Sequence, residues 1–157
     1  MPGGRLASIN VSAGGVPKTA VAEAAITEAG VAGDRQRDLL HHGGPDRAVS
    51  LYSLEAIEAL RREGHPIGAG TAGENLTLAG LDWGAVVPGA EVRVGPVRLR
   101  ITAYASPCSN IAGSFAGGRS ARISQKLHPG WSRVYARVLA GGLVRVDDPA
   151  ELGASPG

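Results

Sequence analysis

The stretch Glu91 to Thr102 constrains the fold more than any other part of the chain. Val92 and Val94, then Val97, Leu99 and Ile101, alternate with Arg93, Arg98 and Arg100, and Gly95-Pro96 interrupts the run. A period of two on both sides of a turn signal predicts an antiparallel hairpin with one apolar and one charged face. The same period recurs in Val134 to Leu139 and Leu143 to Val146 around Ala140-Gly141-Gly142, which predicts a second hairpin. Shorter strands are expected at Leu6 to Val11, Val21 to Ile26, Ala48 to Tyr52 and Glu74 to Leu78, each bounded by Gly, Pro or Asp. Glycine makes up 24 of the 157 residues, roughly twice average usage. Many short strands with frequent corners predict a mainly β chain closed, or nearly closed, into a barrel.

One segment reads as α-helix. Ser53 can cap it, Glu55 lies in its first turn, Leu54, Ile57 and Leu60 share a side, and Gly64 stops it before Pro66. A second helix is expected over Ser120 to Leu127, ended by His128-Pro129-Gly130. No repeat or composition break divides the chain, so it reads as one domain over residues 1–150 with a flexible tail at 151–157.

Composition excludes several classes of function. A single cysteine cannot form an intramolecular disulfide, and with four histidines it does not match a four-ligand zinc framework. The start of the chain lacks an apolar signal region, and no apolar run approaches the roughly 20 residues of a membrane span. A reducing cytoplasm with no membrane partner is the expected setting. A net charge of +2 and scattered aromatics argue against a nucleic-acid partner.

Four places can carry chemistry. His42-Gly43-Gly44-Pro45-Asp46-Arg47 sets two uncovered backbone donors beside a cation, which suits an anion and equally suits a tight turn. Lys18, after Gly14-Gly15-Val16-Pro17, is the only lysine in the first hundred residues and can reach a phosphate or stay solvated. Gly73-Glu74-Asn75 places an acid and an amide at a strand entry; they can read the edge of a heterocycle or serve an ordinary turn. Cys108, in Ser106-Pro107-Cys108-Ser109-Asn110, follows a strand end and so belongs at a barrel rim, where loops carry function. It can be an inert packed thiol, a nucleophile with His42 or His41 as base, or one soft-metal ligand whose remaining positions a cofactor fills.

Taken in order, Gly15-Val16-Pro17-Lys18, Gly33-Asp34, His42-Gly43-Gly44-Pro45-Asp46-Arg47-Ala48-Val49, Leu51-Tyr52-Ser53, Gly73-Glu74-Asn75-Leu76-Thr77, Gly80-Leu81-Asp82, Pro107-Cys108 and Tyr135-Ala136-Arg137-Val138-Leu139 resemble the MOSC domain, named for the carboxy-terminal domain of molybdenum cofactor sulfurases. The resemblance covers nearly the whole chain. It implies a single-domain β-barrel with a few short helices and a pocket for the molybdenum cofactor, a pyranopterin bearing one phosphate. Cys108 then corresponds to the metal ligand. Lys18 and Arg47 become candidates for the phosphate, His42, Gly43 and Gly44 for close approach to the cofactor, and Asp46, Glu74 and Asn75 for the pterin edge. Small free-standing members resemble reductases of N-hydroxylated compounds, which implies a small-molecule substrate and a separate electron-donor protein. A carrier of cofactor or of sulfur as a Cys108 persulfide, and a metal-free thiol or C–S bond enzyme, are the alternatives. The chain departs from the pattern at Asp147-Asp148, where a Gly-Asp corner is usual.

Overall fold

The computed structural model describes residues 3–12, 18–34, 45–107 and 109–153. The expected hairpin is there as β7 (Glu91–Val94) and β8 (Val97–Tyr104), with Val94 opposite Val97 and Gly95 in the left-handed region at φ 54. The other strands are β1 (Gly4–Val11), β2 (Thr19–Val21), β3 (Glu23–Thr27), β4 (Gly30–Val31), β5 (Val49–Ser53), β6 (Leu76–Ala79), β9 (Val134–Ala140), β10 (Gly142–Arg145) and β11 (Pro149–Leu152). Seven of them close a barrel in the order β11-β7-β8-β9-β5-β6-β1, and β1 returns to β11 through Gly4 opposite Ala150. The pairing of β11 with β7 extends to Leu152, which lies opposite Val92.

Inward alternation fills the barrel. Leu6, Ile9, Val49, Leu51, Leu76, Val92, Val94, Val97, Leu99 and Val134 are fully buried there, and each such side chain contributes about 1.5–3 kcal/mol of transfer free energy. All pairings along the wall are antiparallel except β5 with β6. A parallel pair requires a crossover, and α1 (Leu54–Arg62) supplies it. Ser53 caps α1 through its hydroxyl, which accepts the Ala56 N–H. The buried face of α1, Ile57 and Leu60, joins Tyr52, Ile67, Ile111, Phe115 and Ile123 in a second apolar cluster.

Two expectations are corrected. β9 and β10 do not form a hairpin: β9 lies between β8 and β5, whereas β10 pairs with β3 in a separate three-stranded sheet. The chain leaves the barrel wall at Gly141, whose position brings it so close to the Ile26 carbonyl that a Cβ would stand 2.4 Å from the oxygen. The helix expected over 120–127 is a single 3-10 turn, Ser120–Ile123, ended by the extended backbone of Ser124 at ψ 127.

Candidate functional site

At the junction of β1, β5 and β6 the barrel interior turns polar. Asn10 at the end of β1 is buried; its amide donates to the Glu74 carbonyl at 3.2 Å and to Thr77 Oγ1 at 3.1 Å. The Thr77 hydroxyl in turn donates to Glu74 Oε2 at 3.0 Å. The Asn75 carbonyl oxygen accepts the Ser50 N–H at 3.0 Å and its hydroxyl at 3.2 Å, while Asn75 Nδ2 donates to Asp34 Oδ2 at 2.9 Å. Asp34 Oδ1 also takes the Ser12 N–H at 2.9 Å and Lys18 Nζ at 2.6 Å.

Lys18 and Asp34 are 8% and 6% exposed at their side chains, so this ion pair is screened little by solvent. A Cβ at Gly70, where φ is +81, would stand 2.9 Å from the Lys18 carbonyl oxygen and 3.0 Å from Asn10 Cγ. Only glycine therefore permits the loop before Gly73 to lie against this cluster.

Glu74 is fully buried, and its Oε1 has no hydrogen-bond partner. Burial pushes the carboxyl above the ordinary carboxylate range, opposed in part by the nearby N–H dipoles of Gly70 and of Glu74 itself and by the Thr77 hydroxyl. The group is held closer to the neutral acid than a surface glutamate is. Arg133, which precedes β9 and is 7% exposed, adds the nearest cation in electrostatic effect. Its Nη1 donates to the Ala72 carbonyl at 2.9 Å and its Nη2 to the Ser106 carbonyl at 3.0 Å, while Nε has no partner. One guanidinium thus ties the loop entering Gly73-Glu74-Asn75 to the loop leading into Pro107-Cys108.

Asp46 and Arg47 belong to a 3-10 turn, Pro45–Arg47, at the start of β5. Asp46 pairs with Arg137 of β9 at 2.9 Å, and its carbonyl accepts the Thr102 hydroxyl. Arg47 lies over the Tyr135 ring at 5.2 Å. The structure therefore brings Lys18, Glu74 and Asn75 into one corner and ties Asp46 and Arg47 to β9. His42, Gly43, Gly44 and Cys108 lie outside the described residues. Among the described residues no group of three or more His, Cys, Asp or Glu could hold a metal ion, and no helix is long and apolar enough to cross a membrane.

Sequence reasoning passed over three participants. Asp34 stood in the Gly33-Asp34 motif of the resemblance but was given no role. Asn10 and Arg133 gave no signal, because a single polar residue at a strand end reads as exposed.

A barrel whose polar corner is assembled from these motifs defines the class. The pattern of the MOSC domain matches residues 38–151, and the chain belongs to that family, which is associated with binding of the molybdenum cofactor. The Escherichia coli protein YiiM is 34% identical over 135 residues, covering 83% of this chain and 59% of its own length. The uncharacterized Bacillus subtilis protein YflK is 35% identical over 116 residues, or 71% of this chain and 50% of its own length. The chain thus spans between half and three-fifths of the curated relatives it matches. The crystal structure of YiiM from Geobacillus stearothermophilus superposes with a TM-score of 0.71 at 26% identity, over 96% of this chain and 75% of that one.

Proposed function

We propose that this chain binds the molybdenum cofactor and reduces N-hydroxylated compounds, with the Cys108 thiolate as the protein's ligand to the metal. The observation that carries the reading is the orphaned oxygen of Glu74. A buried acceptor left without a partner costs about 1–3 kcal/mol, and Glu74 bears that cost inside the motif Gly73-Glu74-Asn75. A heterocycle edge carrying an N–H, as a pterin does, matches this one open acceptor, the Asn75 amide being engaged by Ser50 and Asp34.

In this assignment Glu74 and Asn75 face the pterin, and Lys18, held in place by Asp34 through one of its N–H groups, and Arg47 take the phosphate. Gly43 and Gly44 let the backbone approach closely, while His42 and Asp46 complete the loop. When bound, the cofactor supplies two-electron chemistry at a metal able to accept oxygen. The net reaction breaks the N–O bond, consumes two electrons and two protons, and yields the N–H compound and water. The electrons come from a separate donor protein.

The test is molybdenum and phosphorus content per chain for wild type and Cys108→Ser, both purified from a host that makes the cofactor. Near-stoichiometric molybdenum in wild type, lost in the variant while the melting temperature holds, is the expected result. Metal-free wild type after reconstitution with released cofactor would redirect attention to persulfide or thiol chemistry at Cys108.

A further inference from the structure

The outer wall of the barrel carries a band of arginines that the cofactor reading does not use. Val92, Val94, Val97, Leu99 and Ile101 point inward, so Glu91, Arg93, Arg98 and Arg100 point out, and β9 adds Arg137. Register aligns them across three strands: Glu91 opposite Arg100, Arg100 opposite Arg137, and Arg93 opposite Arg98.

Glu91 lies at the base with its side chain 10% exposed. Arg98 grips it through two bonds, Nε to Oε2 at 3.0 Å and Nη2 to Oε1 at 2.9 Å. Arg93 approaches at 3.5 Å and Arg100 at 4.0 Å. The three guanidinium side chains remain 51%, 48% and 42% exposed. A covered carboxylate therefore holds three cations outward. Arg137, 50% exposed, continues the band to Asp46 on the turn that carries Arg47, and Leu139 on the same face is 39% exposed.

Like charges directly opposite across a strand pair cost stability. Glu151 of β11 stands opposite Arg93, yet the four arginines outnumber the carboxylates among them, and Glu91 and Asp46 are already engaged. Arginine is enriched at protein-docking surfaces, and the guanidinium fork matches carboxylates. Nucleic acid fits less well, because Tyr135, the ring beside the band, is covered by Arg47 and the whole chain carries only +2.

We propose that this band is the docking face for an acidic electron-donor protein, an inference that rests on the reductase reading above. The donor, carrying a flavin or iron–sulfur group, is oxidised by two electrons per turnover while the N–O bond is reduced, with both protons drawn from solvent. The band begins at the turn assigned to the cofactor, so a partner seated on it lies beside the site it serves.

The test uses the holoprotein and an acidic flavodoxin as probe, with Arg93→Gln/Arg100→Gln as the variant, because Arg98 then still pairs with Glu91. Flavodoxin affinity at low salt should fall roughly tenfold in the double variant, and the gap should shrink as salt is raised. Turnover driven by reduced methyl viologen, a small donor that needs no docking, should be unchanged. If the double variant fails to fold, Arg93→Gln alone provides the same comparison. Failure of flavodoxin to bind wild type, or equal binding by wild type and a folded variant, overturns the proposal. So does a 20-base-pair duplex that binds more tightly than flavodoxin and is released by the same substitutions. Absence of viologen-driven turnover in metal-loaded wild type refutes the reductase reading, and the donor's role with it, whatever the flavodoxin does.

Discussion

Asn75→Asp is the sharpest probe of the polar corner, because it changes one nitrogen to oxygen and leaves the shape intact. Asn75 Nδ2 donates to Asp34 Oδ2 at 2.9 Å. The substitution removes that donor and sets two carboxylates against each other. If both stayed charged at that separation, their repulsion would be roughly 6 kcal/mol at an effective dielectric constant of 20. Taking up one proton to bridge them is cheaper: at pH 7, about three units above an ordinary carboxylate, it costs about 4 kcal/mol at 1.36 kcal/mol per unit. Lys18, 2.6 Å from Asp34, offsets part of this. The folded variant thus holds a proton that the unfolded chain releases, so its shared site has a raised pKa. Stability from such a group is full below the unfolded carboxylate range and is lost as pH rises. Urea denaturation of both proteins at pH 4.5 and pH 7 should show a deficit of about 1 kcal/mol or less at the lower pH, growing to about 3–4 kcal/mol at the higher. A deficit independent of pH, or none at pH 7, would refute the bonding scheme around Asp34.

Glu74→Gln removes a carboxyl whose folded pKa is raised by burial. The wild-type group favours the folded state most at acid pH and progressively less as pH rises, so urea midpoints should move in the variant's favour from pH 5 to pH 8; a constant gap would contradict the upward direction of the shift. Tyr52→Phe removes the hydroxyl that donates to the Trp131 carbonyl at 2.6 Å beneath the 109–131 segment. A loss of about 1–2 kcal/mol in thermal or urea unfolding is expected, and an unchanged midpoint would mean that water replaces the bond freely.

Strict alternation made β7 and β8 legible down to their register, because a slip of one residue would turn Val92, Leu99 and Ile101 to solvent. Ser53 and the apolar face of α1 were equally plain. The partner of β10 was not legible: local alternation says that a strand exists but not which sheet takes it, and the turn at Gly141 is set by the distant Ile26 carbonyl. Asp147, at φ 77, occupies the left-handed region where the family pattern has glycine, a conformation aspartate tolerates better than most residues. For the site, motif membership picked out Glu74, Asn75 and Lys18 but not their binding partners. Asn10, Asp34 and Arg133 enter through contacts made across 65, 41 and 61 residues of chain, and no local pattern reports those.

The closure of the barrel wall by β1 against β11 has a kinetic meaning. Gly4 meets Ala150, so the register that closes the wall joins residues 146 positions apart in sequence. During synthesis β1 can find β6 once the crossover has emerged, but its other edge near Gly4 must wait for β11. Until then the nascent sheet presents open backbone edges on β1 and β7, the situation in which edge strands recruit wrong partners. The vulnerable interval for this barrel therefore lasts until Pro149–Leu152 has been made and has seated between those edges.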